Sequence, residues 1–283
     1  MKLLRYMAGG EARLGVVSGD GIVDLAKAGC AFADMLDIIR EGPPALDRIA
    51  AAAAGRTPDL ALAGAQLLAP LRPGKYLAIG MNYKKHAEEA RSLGIDVPQQ
   101  QLWFNKQTTC IAGPFDPIEP GVTEMLDYEV ELGLVIGTPA KGIKAANAYA
   151  HIFGYVVAND VSARDWQRHS PTFTMGKSFD THGPIGPWIV TADEIADPQA
   201  LDLRCYVNGE LRQSNNTSGM VHNIAAQIEY LSTAFTLEAG DLIATGTPEG
   251  VGVAMNPPVF LKAGDVVRCE VEGIGAIENR VAG

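Results

Sequence analysis

Several features that would assign this chain to a specialised class are scarce or absent. The 283 residues include only four cysteines, which lie far apart and form no C-x-x-C pair. Neither a zinc ribbon nor a thioredoxin-type redox motif is therefore expected. We interpret the cysteines as small, reduced, hydrophobic side chains, which is typical of a cytoplasmic protein.

Basic residues are also fewer than acidic ones. The chain carries 23 Lys and Arg against 33 Asp and Glu, which gives a formal net charge of -10. Because nucleic-acid binding requires clustered basic side chains, this balance argues against a nucleic-acid partner. It does not exclude a small anionic substrate, since a bound metal or a few local cations can reverse the field at one site.

Long hydrophobic runs are missing as well. Charged residues interrupt the first twenty positions, which argues against a signal-peptide core, and no apolar run approaches the roughly 20 residues of a membrane span. We therefore expect a cytoplasmic protein with no membrane partner. Hydrophobic residues at 47% and charged residues at 20% are typical of a globular chain that buries a sizeable core without disulfides.

The pattern of the chain changes near residue 70. Residues 1–70 contain three short strand-like segments with glycine-rich turns, followed by a helical pattern. Residues 71–283 contain many β-type segments with few helices between them. We predict an α+β, mostly β protein in which a small N-terminal α/β domain (1–70) precedes a catalytic domain (71–283) built on a mixed β-roll or barrel-like sheet.

The segment "DYEVELGLVIG" carries the most informative carboxylates. Glu129 and Glu131 are one residue apart in an apolar, β-type run, so a strand would turn both to the same face. Buried together they would repel each other unless a cation lay between them, and Asp160, at the end of another apolar run, is a third candidate ligand. Such an oxygen-only set suits Mg²⁺, Mn²⁺ or Ca²⁺. The alternative is that the two glutamates point to solvent from a half-exposed strand.

Four other segments could contribute chemistry, although each has an ordinary structural explanation. Glu89 follows His86 by three residues, so on a helix the two share a face and could form a general-base pair or a plain surface pair. Lys177 and Arg164 would be ordinary surface residues without a nearby metal. Thr247 lies in the glycine-rich "ATGTPEGVG", which a structural turn would also explain.

The order of these segments resembles the fumarylacetoacetate hydrolase superfamily, from about residue 75 to the C-terminus. The blocks are "AIGMNYKKHAEE", "LDYEVELGLVIG", "GYVVANDVSARDWQ", "GKSFDTHGPIGPWIV" and "GDLIATGTPEGVG". The resemblance implies a β-roll, a usual homodimer, and Mg²⁺ or Mn²⁺ as cofactor, with Ca²⁺ as a further option. By position it implies catalytic His86, Glu89 and Lys177, substrate contacts from Tyr83, Arg164, Gln167 and Thr247, and metal ligands Glu129, Glu131 and Asp160.

The resemblance also implies a small-molecule oxo acid substrate. Our main hypothesis is a metal-dependent hydrolase that cleaves a C–C bond of a 2,4-diketo acid, of the acylpyruvate, fumarylpyruvate or diketo-deoxy sugar acid type. The alternatives are an oxaloacetate decarboxylase or a 2-oxo acid isomerase or hydratase on the same site, and a metal-free binding or scaffold protein. Some decarboxylating relatives have an arginine where this chain has Met81, which disfavours oxaloacetate as the preferred substrate.

Overall fold

The computed structural model describes residues 1–92 and 94–283. The N-terminal part forms a short antiparallel meander followed by two helices. Its elements are β1 (Lys2–Ala8), β2 (Glu11–Ser18), β3 (Gly21–Asp24), α1 (Met35–Glu41), α2 (Pro43–Ala53), β4 (Leu60–Ala61) and β5 (Leu67–Leu68). The sequence "FADMLDIIREG" predicts a helix stopped by Gly42 and Pro43, and α1 does end at Gly42, whose φ of 67° favours glycine. Pro43 then begins α2, a helix that the pattern did not predict there.

The remaining elements are mostly strands. They are β6 (Tyr76–Gly80), α3 (Lys84–Ser92), β7 (Leu102–Lys106), β8 (Ile111–Ala112), β9 (Leu126–Asp127), β10 (Val130–Ile136), β11 (Ile152–Asn159), β12 (Ser162–Ala163), α4 (Arg164–Gln167), α5 (Thr174–Lys177), β13 (Gly183–Thr191), β14 (Asp202–Val207), β15 (Glu210–Asn216), α6 (Ile224–Ala234), β16 (Leu242–Ala244), β17 (Val266–Val271) and β18 (Gly275–Arg280). Short 3-10 turns join several of them.

One mixed sheet of twelve strands organises the molecule, in the order β4-β3-β2-β1-β13-β11-β10-β16-β6-β7, with β5 and β8 pairing off this path. A four-stranded sheet, β15-β14-β17-β18, and the pair β9-β12 complete the strands. The predicted α+β, mostly β class is confirmed, and the sheets of the described residues stay open rather than closing into a barrel.

The N-terminal strands extend the large sheet directly. Strand β1 pairs with β13 through Lys2–Val190 and Leu3–Ile189, and the apolar side chains of α1 pack into a core shared with β10 and β11. The separate N-terminal domain over residues 1–70 stays a prediction.

Strand β10 has hydrophobic core on both faces. Val130, Leu132 and Leu134 pack in one cluster, whereas Val135 packs in the other. This alternation puts Glu131 on the face opposite Val130 and Leu132, as the period of two predicts. The segments around Glu129 and Glu131 are therefore inside the molecule, which fixes where the carboxylates lie.

Candidate active site

The register between β10 and β11 brings three acidic side chains together. Val130 pairs with Asn159, and the backbone N–H of Asp160 donates to the carbonyl of Glu129 at 2.9 Å. Each of Glu129, Glu131 and Asp160 offers an oxygen within 4.8 Å of the others, and all three are buried. The solvent-exposed interpretation of the E-x-E motif is therefore wrong, because both of its glutamates lie in the interior.

Two lysines neutralise part of this acidic cluster. The Nζ atom of Lys177 lies 2.7 Å from both Glu129 Oε2 and Asp160 Oδ2. The Nζ atom of Lys106 lies 2.5 Å from Asp160 Oδ1. Sequence reasoning missed Lys106, although the signal was there: in β7, Phe104 and Lys106 share the inward phase of the strand.

Glu131 forms no such ion pair with any residue that the structure describes. Its carboxylate accepts a hydrogen bond from the backbone N–H of Gly246 at 2.7 Å. Burial, Asp160 and Glu129 together raise its pKa well above the ordinary value. Burial also opposes ionisation of Glu129, but Lys177 and Arg164 outweigh it and hold that pKa well below its usual range.

The excess of negative charge at Glu131 fits a bound divalent cation. A buried carboxylate without a countercharge is costly, and here it faces two further carboxylates at ligand spacing. A hard cation among Glu129, Glu131 and Asp160 would remove the repulsion that raises the pKa of Glu131. The all-oxygen donor set suits Mg²⁺, Mn²⁺ or Ca²⁺ rather than zinc.

Arg164 orients Glu129 from the other side. Its Nε donates to Asp127 Oδ2 at 2.8 Å, its Nη2 forms an ion pair with Glu129 Oε1 at 2.6 Å, and its Nη1 donates to Gln167 Oε1 at 3.1 Å. Asp127 also accepts the backbone N–H groups of Gly252 and Val253. Asp127 thus joins the arginine to the 252–254 turn; it lies in the "LDYEVEL" block, but its role there escaped the sequence reasoning.

The predicted histidine–glutamate pair forms on α3. The Nδ1 atom of His86 lies 2.9 Å from Glu89 Oε2, and the other oxygen of Glu89 accepts the backbone N–H of Gly250 at 3.1 Å. The carboxylate therefore holds both the imidazole ring and the "TGTPEG" segment. No hydrogen bond within the described part of the chain engages the Nε2 atom of His86, so this nitrogen can exchange a proton.

A cavity of about 420 Å³ lies over these groups. Most of the predicted site residues line it: His86, Glu89, Glu129, Arg164, Gln167, Lys177 and Thr247. Glu131 and Asp160 belong to the acidic cluster behind this wall. The site is thus a cavity with the His86–Glu89 pair on one wall and a partly neutralised acidic cluster at another.

Two predicted substrate contacts are placed differently: the hydroxyl of Thr247 is engaged by protein groups, and that of Tyr83 is buried with no hydrogen-bond partner among the described residues. The Thr247 hydroxyl donates to the carbonyl of Val130 at 3.0 Å and accepts from Gln213 at 2.9 Å. The Tyr83 side chain is fully buried, is absent from the cavity wall, and has a phenol whose pKa burial and the charge of Glu131 raise well above its ordinary value. Substrate contact by Tyr83 or Thr247 stays a prediction.

Known proteins are similar to this chain in sequence and in fold. The fumarylacetoacetate (FAA) hydrolase C-terminal family matches residues 75–282. The mitochondrial oxaloacetate tautomerase FAHD2B of Bos taurus is 43% identical over 281 residues, which cover 98% of this chain and 88% of the relative.

Two solved structures extend the comparison. Fumarylacetoacetate hydrolase from Exiguobacterium antarcticum superposes with a TM-score of 0.83 at 38% identity, covering 100% of this chain and 99% of that one. Maleylpyruvate hydrolase from Sphingobium sp. SYK-6, solved with manganese(II) and pyruvate, gives a TM-score of 0.82 at 34% identity over the same shares. The resemblance read from the five sequence blocks is confirmed, and the chain belongs to the fumarylacetoacetate hydrolase family.

Proposed function

We propose that this protein is a divalent-metal-dependent hydrolase that cleaves a C–C bond of a 2,4-diketo acid. The observation that carries the proposal is one cavity that holds both the His86–Glu89 pair and the edge of the Glu129–Glu131–Asp160 cluster. A base within reach of a cation site is what attack of water on a carbonyl requires. A scaffold protein would not need this combination.

Glu129, Glu131 and Asp160 would hold the cation, Mg²⁺ or Mn²⁺ with Ca²⁺ as a further option. When bound, the cation supplies Lewis-acid polarisation of the 2-oxo group and neutralises the substrate carboxylate. The maleylpyruvate hydrolase structure with manganese(II) and pyruvate supports this assignment by analogy.

His86 would act as the general base. Glu89 accepts a hydrogen bond from Nδ1–H, which fixes the tautomer and leaves Nε2 as the proton acceptor. Nε2 would take a proton from a water molecule, and the oxygen of that water would attack C4 of the substrate. The backbone N–H of Gly250 restrains Glu89, so the imidazole ring keeps its direction as it gains positive charge.

Lys177 would stabilise the negative charge that develops as the bond breaks. An ammonium group has three donors, and two of them point to Glu129 and Asp160. Because Lys177 also lines the cavity, its third N–H can reach a substrate oxygen. Charge-assisted donation from a preorganised group is most effective where water is excluded.

The overall reaction balances without a redox partner. Water adds a hydroxyl to C4, the C3–C4 bond breaks, and its electron pair stays on C3 as an enolate. That carbon then takes the proton held by His86. The products are a carboxylic acid, which ionises, and pyruvate or a related 2-oxo acid.

Tautomerisation of oxaloacetate is the second candidate. The similarity to the oxaloacetate tautomerase from Bos taurus, which is 43% identical over 98% of this chain, supports this candidate. The same base and lysine would move a proton between C3 and the 2-oxo oxygen, with no attacking water. Met81, on the cavity wall, offers no positive charge to a second carboxylate. Decarboxylation of oxaloacetate and isomerisation or hydration of related oxo acids use the same enolate.

An assay of one preparation against three compounds separates these reactions. Acetylpyruvate, a diketo-deoxy sugar acid and oxaloacetate are incubated with Mg²⁺ or Mn²⁺, and pyruvate release, CO₂ release and enol absorbance are followed. We expect the protein to release pyruvate from a diketo acid. In His86→Ala the rate of this release should fall about 10²–10⁴-fold. His151→Ala, a histidine away from the cavity wall, is the matched control. Full diketo acid cleavage by His86→Ala would reject the assignment, and enol conversion without cleavage would favour the tautomerase.

We also propose that the protein is a homodimer, an expectation that rests on the family and that light scattering of the purified chain would test.

None of the helices described is long and apolar enough to cross a membrane. A cytoplasmic location stays a prediction, since the Bos taurus relative is named as mitochondrial.

A further inference from the structure

We infer that the cavity contains an apolar subsite for the substrate tail, formed by Met81, Phe104 and Phe173, so that uncharged alkyl or aryl tails are preferred over carboxylate-bearing ones. This inference deepens the proposed function and rests on it for the identity of the 2-oxo acid head. All three side chains line the cavity.

The subsite is continuous with the reacting end of the cavity. The Lys177 ammonium lies 5.0 Å from the centre of the Phe104 ring, and the same ammonium contacts Glu129 and Asp160. Phe104 in turn packs edge-on against Phe173, with ring centroids 5.9 Å apart. A substrate whose head lies beside Lys177 would therefore meet these two rings next.

Two of the three residues hold a backbone conformation that favours glycine. Met81 has a φ of 57° and Phe173 a φ of 60°, and only four non-glycine residues within the described ranges have positive φ. A bulky residue in this region costs of order 1 kcal/mol or more, and such residues concentrate at ligand sites. Both of these residues present a large apolar side chain to the same cavity.

The neighbouring Asn82 fixes the unusual backbone of Met81. The Asn82 amide donates to the carbonyls of His222 and Thr245 and accepts the N–H of His222, while its own carbonyl accepts the N–H of Val221. The residue is fully buried. These four bonds tie the turn after β6 to two other segments, so the position of the Met81 side chain is built into the fold.

The charges on the cavity wall do not provide for an anionic tail. Arg164 and Lys177 are already paired with carboxylates, and Glu89 and Glu129 also face the cavity. Arg168 is exposed, and the ion pairs found among the described residues do not include it. A second carboxylate on the substrate would therefore lose its hydration with little compensation unless it reached Arg168.

The size of the cavity also suits a tail. At about 420 Å³ the cavity falls within the roughly 300–1,000 Å³ typical of small-molecule sites, and a molecule of about nine non-hydrogen atoms, such as oxaloacetate or acetylpyruvate, is small for such a site. The head group alone would leave part of the apolar wall in contact with water. Filling it with methylene groups gains affinity at roughly fourfold per group.

The test uses pairs of 2-oxo acids that differ only at the far end. Dissociation constants of 2-oxohexanoate and 2-oxoadipate are measured by calorimetry on the manganese-loaded protein, with pyruvate as the head-only reference. We expect 2-oxohexanoate to bind at least tenfold more tightly than 2-oxoadipate and more tightly than pyruvate. Equal binding, or tighter binding of 2-oxoadipate that weakens in Arg168→Gln, would overturn the inference.

Variants locate the subsite. Met81→Gln and Phe173→Gln should each reduce the ratio of 2-oxohexanoate to pyruvate affinity severalfold, whereas Met175→Gln, an exposed methionine outside the cavity wall, should leave it unchanged. An unchanged ratio in both cavity variants would also overturn the inference. The binding measurements need no turnover, so their outcome is independent of the hydrolysis assay. The protein can fail to cleave diketo acids and still prefer an apolar tail, or it can cleave them and show no such preference.

Discussion

Lys106 and Asp160 form an ion pair in the interior, with 2.5 Å between Lys106 Nζ and Asp160 Oδ1 and no exposed surface on either side chain. The lysine also reaches the carbonyl of Val161 at 3.3 Å. It comes from β7, whereas Asp160 follows β11, so the pair joins two distant strands of the large sheet behind the acidic cluster.

Removing this lysine should destabilise the metal-free protein. Lys106→Met leaves Asp160 with one cation instead of two, and breaking a buried pair of this kind costs about 3–5 kcal/mol. Urea unfolding in a chelator measures the loss. Added Mn²⁺ should restore part of the stability in the variant, because a dication replaces the missing charge.

An exposed lysine provides the control for this experiment. Lys144 pairs with Glu229 at 3.4 Å on the surface, and Lys144→Met should change the free energy of unfolding by less than about 1 kcal/mol. If Lys106→Met were as mild as that control, the buried pair would have no structural importance.

Glu89→Gln should impair catalysis although it keeps the shape of the side chain. Both groups that Glu89 contacts, the imidazole Nδ1–H and the Gly250 N–H, are donors, and an amide offers only one oxygen to accept them. We expect kcat to fall about 10–100-fold with the manganese dissociation constant unchanged. The neighbouring exposed Glu88→Gln is the control on the same helix. A kcat equal to that of Glu88→Gln would remove Glu89 from the mechanism.

Glu131→Gln should separate metal binding from folding. Because the pKa of Glu131 is raised in the folded state, its contribution to stability is present below the unfolded pKa and is lost as pH rises through the folded value. At neutral pH in a chelator the variant should therefore be at least as stable as the native protein. It should also lose most of the rise in Tm that Mn²⁺ gives the native protein. An unchanged metal-induced Tm shift would exclude Glu131 as a ligand.

His182 should make the protein less stable in acid. Burial, together with the charge of Lys106, lowers its pKa to about 4, and the neutral ring bonds the carbonyl of Glu119 through Nε2 at 3.0 Å. In the unfolded chain this histidine takes up a proton near the ordinary pKa of about 6.5. The free energy of unfolding therefore falls as the pH drops from 6.5 toward 4, and the loss reaches about 2–3 kcal/mol at pH 4.5.

The comparison of two Phe substitutions tests this dependence. Free energies of unfolding at pH 7 and pH 4.5 should differ less in His182→Phe than in the native protein. His169→Phe, at an exposed histidine, should keep the native difference. The same acid sensitivity in native protein and His182→Phe would show that His182 is not its source.

The sequence was most informative where the backbone imposes a fixed period. The spacing of Glu129 and Glu131 requires a shared face on any strand, and the spacing of His86 and Glu89 requires a shared face on any helix. Both pairs lie as predicted. The turn at Gly42 and Pro43 follows from the backbone preferences of those two residues in the same way.

The sequence was least informative about groups brought together from distant segments. The inward phase of Lys106 in β7 marks that residue as buried but not as functional, and no local motif marks Asp127 as functional. Each acquires its role by meeting a partner at least 37 residues away. Tyr83 shows the converse: its block marks it as a site residue, yet packing buries it behind the cavity.

By itself the sequence determined the family, the shared face of Glu129 and Glu131, and the pairing of His86 with Glu89, since each rests on residue order or on a local repeat of the backbone. The tertiary structure decided that Asp160 joins the two glutamates, that no ion pair reaches Glu131 among the described residues, that Lys106 balances Asp160, and that Met81 and Phe173 face one cavity. Burial sets the energy of a charge, and burial is a property of the assembled sheets rather than of any one segment.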